Sequence, residues 1–263
     1  MRNFLLSDHS NDYLDRKYPD LVATSGKYGS GPLLKITYFG KTSFGLESKE
    51  TSVILNPGIW DGESLIPDDH DCRVIIVTNH DDDALGNAVE IAANSKAWIL
   101  GNEPTIEKAG EQGGKPWLLH VLQPEVPYEI PGLKVTPFPL KKGRADSDEV
   151  IENLGLYIEI GTMKIAYLGD AMIRGPFGQS EAHIVIVPVG GDGVFEVKDA
   201  VSLTLDIRPK LTIPMRWNTE EQSKKYTKYI EQFGQGTTPI VMEKGQEMNV
   251  QWAAGHEFKY EIS

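Results

Sequence analysis

The sequence contains one cysteine, no long apolar run and few basic residues, and each shortage excludes a class of protein. Cys72 is the only cysteine among 263 residues, so the chain cannot form an intrachain disulfide or a thiolate-rich metal site. No window approaches the roughly 18 apolar residues of a membrane-spanning helix. The first six residues also give way to polar ones before the core of a signal peptide can form. We therefore expect a cytoplasmic protein without a membrane partner.

The shortage of basic residues argues against nucleic acid as a partner. The chain has 26 Lys and Arg against 38 Asp and Glu, a formal net charge of −12. Phosphate backbones are repelled by such a surface unless a basic stripe offsets it. The only basic clusters are short, at 141–144 and 224–225. The 40% apolar content nevertheless provides for a globular core.

Two segments are predicted. Residues 1–32 are polar and end in a stretch of Gly, Ser and Pro over 25–32, which is typical of an extension and linker. This segment is either a surface arm packed on the domain or an arm that binds a partner. Residues 33–263 show no internal boundary, and we expect a single domain there.

Short strands dominate the first half of this domain, and strand–helix units follow. Alternating or continuous apolar runs predict strands, and helical spacing predicts helices over 84–94, 197–207 and 219–233, with a shorter one from Pro104 to about Gly110. The predicted strands lie at 34–39, 43–47, 52–55, 73–78, 97–100, 118–122, 134–138, 156–160, 164–168, 184–187 and 211–213. This order suits an α/β fold with two sheets packed face to face and helices outside.

Several segments resemble the metallo-β-lactamase superfamily, in the branch of the ascorbate-6-phosphate lactonase-like hydrolases. They run in order along about 180 residues, at Ile36–Phe44, Ile54–Pro57, Val74–Ala88, Ile165–Ala171 and Pro209–Trp217. The resemblance implies a four-layer αββα fold with two mixed sheets. It also implies a hydrolase in which two metal ions, held by histidines and carboxylates, activate a bridging water.

The residues that would hold those metals are largely replaced. By the resemblance, Asn79, Asp81 and Ala84 stand where the family's first metal loop has histidines, and Asp83 keeps its carboxylate. The histidine of a later loop corresponds to Lys142 or to Lys141.

Further along the chain, Asp170 keeps the aspartate that bridges the metals, whereas Arg216 stands for the last histidine. Two supporting positions have changed as well, because Lys41 stands for a histidine and Asn56 for an aspartate. Supporting residues orient metal ligands, so their loss together with the ligands points to a dismantled centre.

The changed residues predict a pocket in which side-chain cations stand in for metals. Three acids (Asp81, Asp83 and Asp170) would face Lys142 and Arg216, with Lys41 nearby, and buried acids require such partners. We therefore expect no metal cofactor and a non-catalytic binding, scaffold or regulatory module. Its partner would be a small anion or a protein, and a homo-oligomer is possible. The predicted ligand-binding residues are Lys41, Asn79, Asp81, Asp83, Lys142, Asp170 and Arg216.

The alternative is a hydrolase of an ester, lactone or phosphoester with a rebuilt site. One divalent cation (Mn, Mg or Zn) would bind His80, Asp81, Asp83 and Asp170, since oxygen ligands suit hard cations. Without metal, Asp170 and Lys142 are the catalytic candidates. A lysine that transfers a proton needs a lowered pKa, which neighbouring acids oppose.

Overall fold

The computed structural model describes residues 33–144, 147–252 and 258–263. The predicted extension over residues 1–32 lies outside them. The strands, in chain order, are β1 (Leu33–Gly40), β2 (Ser43–Glu47), β3 (Ser52–Leu55), β4 (Ile59–Trp60), β5 (Glu63–Ser64), β6 (Val74–Val77), β7 (Trp98–Gly101), β8 (Leu119–Val121), β9 (Tyr128–Ile130), β10 (Leu133–Arg144), β11 (Ser147–Ile160), β12 (Met163–Tyr167), β13 (Ile184–Pro188), β14 (Leu211–Met215), β15 (Thr238–Pro239), β16 (Glu247–Trp252) and β17 (Phe258–Ile262). The α-helices are α1 (Asp82–Leu85), α2 (Ala88–Ser95), α3 (Glu103–Glu111), α4 (Val197–Ile207) and α5 (Glu220–Phe233), and short 3₁₀ helices cover Pro116–Leu118 and Gly175–Gln179.

Two mixed sheets contain nearly all of these strands. The first has the order β17-β16-β1-β2-β3-β6-β7-β8, and the second has the order β15-β14-β13-β12-β11-β10-β9. Within each sheet, hairpins build the antiparallel part, and crossover connections, most of them helical, build the parallel part, β3-β6-β7-β8 and β12-β13-β14-β15. Strands β4 and β5 form a separate small hairpin.

Three apolar clusters define four layers. The largest lies between the sheets and includes Ile36 and Phe44 of the first sheet and Ile186 of the second. A second cluster joins the outer face of the second sheet to α4 and α5, and a third joins the first sheet to α1, α2 and α3. Alternate residues of β13 belong to different clusters, since successive strand side chains point to opposite faces. The predicted αββα fold is confirmed.

The structure corrects the predicted helix over 84–94. The chain forms α1, breaks at Gly86 and Asn87, and resumes as α2. Gly86 has a φ of 48°, and a Cβ there would lie 2.0 Å from the carbonyl oxygen of Pro57. Close backbone packing therefore ends α1 where periodicity alone predicts a continuous helix.

The second sheet holds longer strands than predicted, because β10 and β11 form one long hairpin. The hairpin of β16 and β17 at the edge of the first sheet was not predicted. None of the helices in the described residues has the length and apolar content needed to cross a membrane.

Candidate functional site

The carboxylates and cations singled out in the sequence meet at one end of the two sheets. Asp81 and Asp83 follow β6, and Asp170 follows β12. Lys142 lies near the end of β10, and Arg216 follows β14. Loops after strands of both sheets thus converge on one site, which we call the ion-pair cluster and define as Asp81, Asp83, Lys142, Arg144, Asp170 and Arg216.

Lys142 is at the centre of the cluster. Its Nζ atom lies 2.6 and 2.8 Å from the two carboxylate oxygens of Asp83 and 3.0 Å from Asp81. Asp170 is the third neighbour, at 3.5 Å. The Lys142 side chain is only 4% exposed, so water contributes little to its solvation.

Strand geometry explains why Lys142, and not Lys141, occupies this position. Lys142 lies on the face of β10 that also carries the buried Leu140, whereas Lys141 points to solvent. The two lysines are adjacent, so they must face opposite sides of the strand. The resemblance left open whether Lys141 or Lys142 takes the place of the family's histidine. In the structure, Lys142 is the lysine that lies among the acids.

Arg216 bridges two of the three acids. Its Nη1 atom donates to Asp83 at 3.0 Å, and its Nε atom lies 2.8 Å from Asp170 Oδ1. The second contact is a close ion pair without hydrogen-bond alignment, since no donor among the described residues is aligned with Oδ1. Arg144 completes the cluster by donating to Asp81 at 2.9 Å. Three carboxylates are therefore matched by three cationic side chains.

The side-chain amides of Asn79 and Asn153 bind Asp170 in addition to the cations of the cluster. Asp170 is fully buried, and Asn79 Nδ2 donates to its Oδ2 at 2.9 Å. Asn153 Oδ1 accepts from the backbone N–H of Asp170 at 3.3 Å. Asn56 supports this layer through Thr78, whose Oγ1 accepts from Asn56 Nδ2 at 2.9 Å. The predicted residues Asn79 and Asn56 thus act as neutral donors beneath the ion pairs.

Lys41 belongs to the rim of the site. Its Nζ atom lies 4.7 Å from the ring centroid of Trp60, and the Arg216 guanidinium carbon lies 4.6 Å from the same centroid. Trp60 is carried on the hairpin of β4 and β5. Cation–π contacts of this kind stabilise a cation over an aromatic face, so Lys41 contributes through Trp60.

Sequence reasoning missed Trp60, Arg144 and Asn153 as parts of this site. Arg144 had a usable signal, since it belongs with Lys142 to the short basic cluster at 141–144. Trp60 and Asn153 had none, because their roles depend on contacts with distant segments. His80, a predicted metal ligand, is half-buried, and its Nδ1 atom has no hydrogen-bond partner in the described residues.

The pKa directions follow from burial and from the neighbouring charges. Burial lowers the pKa of Lys142, but Asp170 and Asp83 outweigh it, so the pKa lies above the ordinary value of lysine. Arg216 behaves in the same way. Burial and the nearby Asp170 raise the pKa of Asp83 despite its cationic partners. Burial also acts to raise the pKa of Asp81, but Lys142 and Arg144 lower it below its usual value.

These directions limit the chemistry of the site. A general base needs a free lone pair near neutral pH, and Lys142 has none while it is protonated. The carboxylate of Asp170 is buried and engaged by Asn79, Lys142 and Arg216. The raised pKa of Lys142 therefore keeps its ammonium charged, and in that form it cannot accept a proton.

The side chains present do not fit the pair of metals that the resemblance implies. Metal sites of this type need neutral imidazoles and free carboxylates, whereas here each carboxylate of the cluster contacts a cation. In the described part of the chain, no group of three His, Cys, Asp or Glu side chains is arranged to hold a metal ion. The Lys142 ammonium lies where a cation shared by the three acids would be placed.

Comparisons with known proteins extend the resemblance. The sequence pattern of the family described as the beta-lactamase superfamily domain matches residues 35–216. A UPF0173 metal-dependent hydrolase of Staphylothermus marinus is 29% identical over 238 residues, covering 80% of this chain and 96% of the relative. A UPF0173 metal-dependent hydrolase of Methanopyrus kandleri is 24% identical, covering 81% of this chain and 98% of the relative.

Solved structures share the fold at low sequence identity. The metallo hydrolase Igni18 of Ignicoccus hospitalis superposes with a TM-score of 0.67 at 18% identity, covering 82% of this chain and 98% of that one. The metallo-beta-lactamase fold protein YhfI of Bacillus subtilis gives a TM-score of 0.65 at 12% identity, with coverage of 83% and 99%. The narrower lactonase-like branch stays a prediction.

Proposed function

This chain belongs to the beta-lactamase superfamily, and we propose that it is a non-catalytic binding or regulatory module of that family. In this proposal, internal ion pairs replace the family's metal centre. The observation that carries the proposal is the Lys142 ammonium, which contacts Asp81, Asp83 and Asp170 while almost fully buried. A divalent cation shared by all three carboxylates would have to displace Lys142.

Arg216 strengthens the case against metal binding. A neutral histidine offers a nitrogen lone pair to a metal, but a guanidinium offers none and stays charged at any pH a protein tolerates. A metal beside Asp83 and Asp170 would therefore lie close to a permanent positive charge. Moving Arg216 aside would also break its contacts with both acids and with Trp60. Buried charges separated in this way lose their compensation.

Elemental analysis of the purified chain, produced with Mn, Zn, Fe and Mg supplied and without chelator, tests the proposal. We expect less than about a tenth of an equivalent of any metal, since no metal-ligand set is free among the described residues. We also expect no turnover of bis(p-nitrophenyl) phosphate or of a simple lactone. One or two equivalents of metal that are lost in Asp170→Ala would sink the proposal.

A hydrolase with a rebuilt site is the second candidate, and the printed names of the relatives favour it over a binding module. Such an enzyme would cleave an ester, lactone or phosphoester with one divalent cation, or without metal through Lys142 and Asp170. The raised pKa of Lys142, which Asp170 and Asp83 produce against the effect of burial, opposes the metal-free route.

Turnover measured with added Mn, Mg or Zn, and again with a chelator, separates the two candidates. A rate that depends on the metal and disappears in Asp170→Ala would establish the hydrolase. Absence of turnover under all of these conditions, together with absence of bound metal, would leave the binding module.

A further inference from the structure

The first sheet ends at β17, and no strand of the described residues pairs with its outer side. β17 is five residues long and pairs with β16 on its inner side. An edge strand presents unpaired backbone N–H and C=O groups, which makes it a template for another strand. The edge is therefore a surface on which a further strand can add, and the sequence of β17 restricts which strand fits.

The hydrogen-bond pattern shows which residues of β17 face the open edge. Glu247 and Ser263 exchange both of their backbone hydrogen bonds, at 3.3 and 2.9 Å. Hydrogen-bonded and non-hydrogen-bonded pairs alternate along an antiparallel ladder, so every second residue counted back from Ser263 also bonds to β16. The backbone groups of the remaining three residues point away from β16. These three are Phe258, Tyr260 and Ile262.

The same three residues carry large apolar side chains on one face of the sheet. Tyr260 lies opposite Val250 of β16, and Ile262 lies opposite Met248. Val250 and Met248 belong to the core between the sheets, and directly opposite side chains share a face. Tyr260 and Ile262 are nevertheless 41% and 38% exposed. Covering this face of β17 would remove apolar surface from water, which favours association.

The sequence of β17 is complementary to itself in the antiparallel direction. Its five residues read Phe-Lys-Tyr-Glu-Ile. A two-fold axis at Tyr260 therefore places Lys259 of one copy opposite Glu261 of the other. The same axis places Phe258 opposite Ile262. Opposite charges and apolar side chains that face each other across two strands both stabilise a sheet, so a second copy of β17 matches this edge.

The two-fold axis at Tyr260 also satisfies the backbone. Tyr260 pairs with its own counterpart and Phe258 pairs with Ile262, and each of these pairs exchanges two hydrogen bonds between outward-facing groups. The charged residues then occupy the non-hydrogen-bonded positions, where opposite side chains lie closer together. An axis at Lys259 or at Glu261 would place two lysines or two glutamates opposite each other, which destabilises a sheet. Charge therefore selects the axis at Tyr260.

We propose that β17 is a dimerisation edge. Two copies of this chain pair their β17 strands antiparallel about Tyr260 and so join their first sheets into one continuous sheet. This register depends on which charges lie opposite one another, whatever Lys259 and Glu261 contact within their own chain. The dimer goes beyond the proposed binding function and does not depend on it, because the ion-pair cluster contains no residue of β16 or β17.

Analytical ultracentrifugation of the full chain tests the dimer. The mass is measured over about a hundredfold range of protein concentration, since association follows mass action, and is compared with the chain mass of 29.2 kDa. Lys259→Glu and Glu261→Lys each put like charges opposite each other in both charged pairs of the dimer. Lys228→Glu and Glu107→Lys are the matched controls, because both residues are exposed and lie on the helices α5 and α3. Thermal melts confirm that each variant is folded.

We expect wild type to reach twice the chain mass as the concentration rises. Each β17 variant alone should raise the dissociation constant of the dimer at least about tenfold, and each control should change it less than about twofold. A mixture of the two β17 variants should recover the dimer, because Lys259→Glu in one chain then faces Glu261→Lys in the other. An affinity tag on one β17 variant should therefore capture the other.

Wild type that stays monomeric at every concentration would overturn the inference and leave the edge to a strand of another protein. A dimer that Lys259→Glu weakens no more than Lys228→Glu does would place the interface elsewhere on the chain. A mixture that fails to recover the dimer would reject the register about Tyr260. Metal content measured on the same preparation tests the non-catalytic module separately, so either proposal can fail without the other.

Discussion

Lys142 and Asp83 form a two-point ion pair in which one ammonium contacts both oxygens of one carboxylate, at 2.6 and 2.8 Å. The two residues are 59 positions apart in the chain: Lys142 lies on β10 of the second sheet, and Asp83 lies on α1, which follows β6 of the first sheet. The pair therefore ties the end of β10 to the first turn of α1 across the opening between the sheets.

Loss of the central cation should destabilise the fold. Lys142→Ala leaves Asp81, Asp83 and Asp170 without their shared partner, and breaking a buried ion pair costs about 3 to 5 kcal/mol in the free energy of unfolding. Lys141→Ala, on the exposed face of the same strand, should change it by less than about 0.5 kcal/mol. Urea denaturation measures both. Equal effects would mean that the buried ammonium is not central to stability.

Arginine and lysine should not be interchangeable at position 216. Arg216→Lys loses the planar fork that reaches Asp83 and Asp170 together and weakens the contact with Trp60, so we expect a loss of about 1 to 3 kcal/mol. Arg174→Lys is the control, because Arg174 forms an exposed ion pair with Asp206. Such pairs contribute about 0 to 1 kcal/mol. Thermal unfolding compares them, and an unaffected Arg216→Lys would contradict the bridging role.

Replacing the neutral amide of Asn79 by a carboxylate should destabilise the fold. Asn79 donates to Asp170 at 2.9 Å in a fully buried environment. Asn79→Asp removes that donor and adds a like charge, so we expect a loss of about 3 kcal/mol or more. Gln123→Glu, the same change from amide to acid at an exposed position, should change stability by less than about 0.5 kcal/mol. A tolerated Asn79→Asp would indicate a protonated carboxyl or a bound cation at this position.

The stability of the fold should depend on pH in the alkaline range, where Lys142 loses its proton. The folded pKa of Lys142 is raised above 10.5, because Asp170 and Asp83 outweigh its burial. Its contribution is therefore complete below 10.5 and is lost as the pH rises through the folded value. Lys142→Met removes this contribution. The stability difference between wild type and variant should stay constant at neutral pH and shrink on the alkaline side.

At acidic pH, Asp81 and Asp83 should change the stability of the fold in opposite directions. The pKa of Asp81 is lowered below 3.8, since Lys142 and Arg144 outweigh burial. Its contribution is present above 3.8 and is lost as the pH falls through the folded value. Burial and Asp170 raise the pKa of Asp83, so its contribution grows as the pH falls from the folded value towards 3.8. Asp81→Asn should therefore reduce the loss of unfolding free energy at acidic pH. A loss as large as that of wild type would contradict the assignment.

Histidines in place of the two central cations should open the site to metal. Lys142→His combined with Arg216→His supplies two neutral imidazoles beside Asp81, Asp83 and Asp170, a donor set that suits zinc. We expect about one equivalent of zinc in the double variant and less than about a tenth in wild type. Adding Asp170→Ala to the double variant should abolish the uptake. A double variant that stays metal-free would show that more than cation displacement separates this site from a metal centre.

Much of the fold was predictable from local patterns. The alternation of Leu34, Ile36 and Tyr38 and the continuous apolar run of β6 predict strands because burial follows the pleat. The break at Gly86 and the hairpin of β16 and β17 were not predictable. The first depends on backbone contact with Pro57, and the second on pairing with β1 from the far end of the chain.

The sequence by itself determined the residue types in the site and the loss of its histidines. It placed Asp83 and Asp170 in the loops where the resemblance puts metal ligands. Only the tertiary structure decided that Lys142, rather than Lys141, lies among the acids, and that Arg216 bridges two of them while stacking on Trp60. The reason is geometric. Ion pairs depend on distances of about 3 Å between side chains, and here those distances are set by how four separate chain segments at the ends of the two sheets pack together.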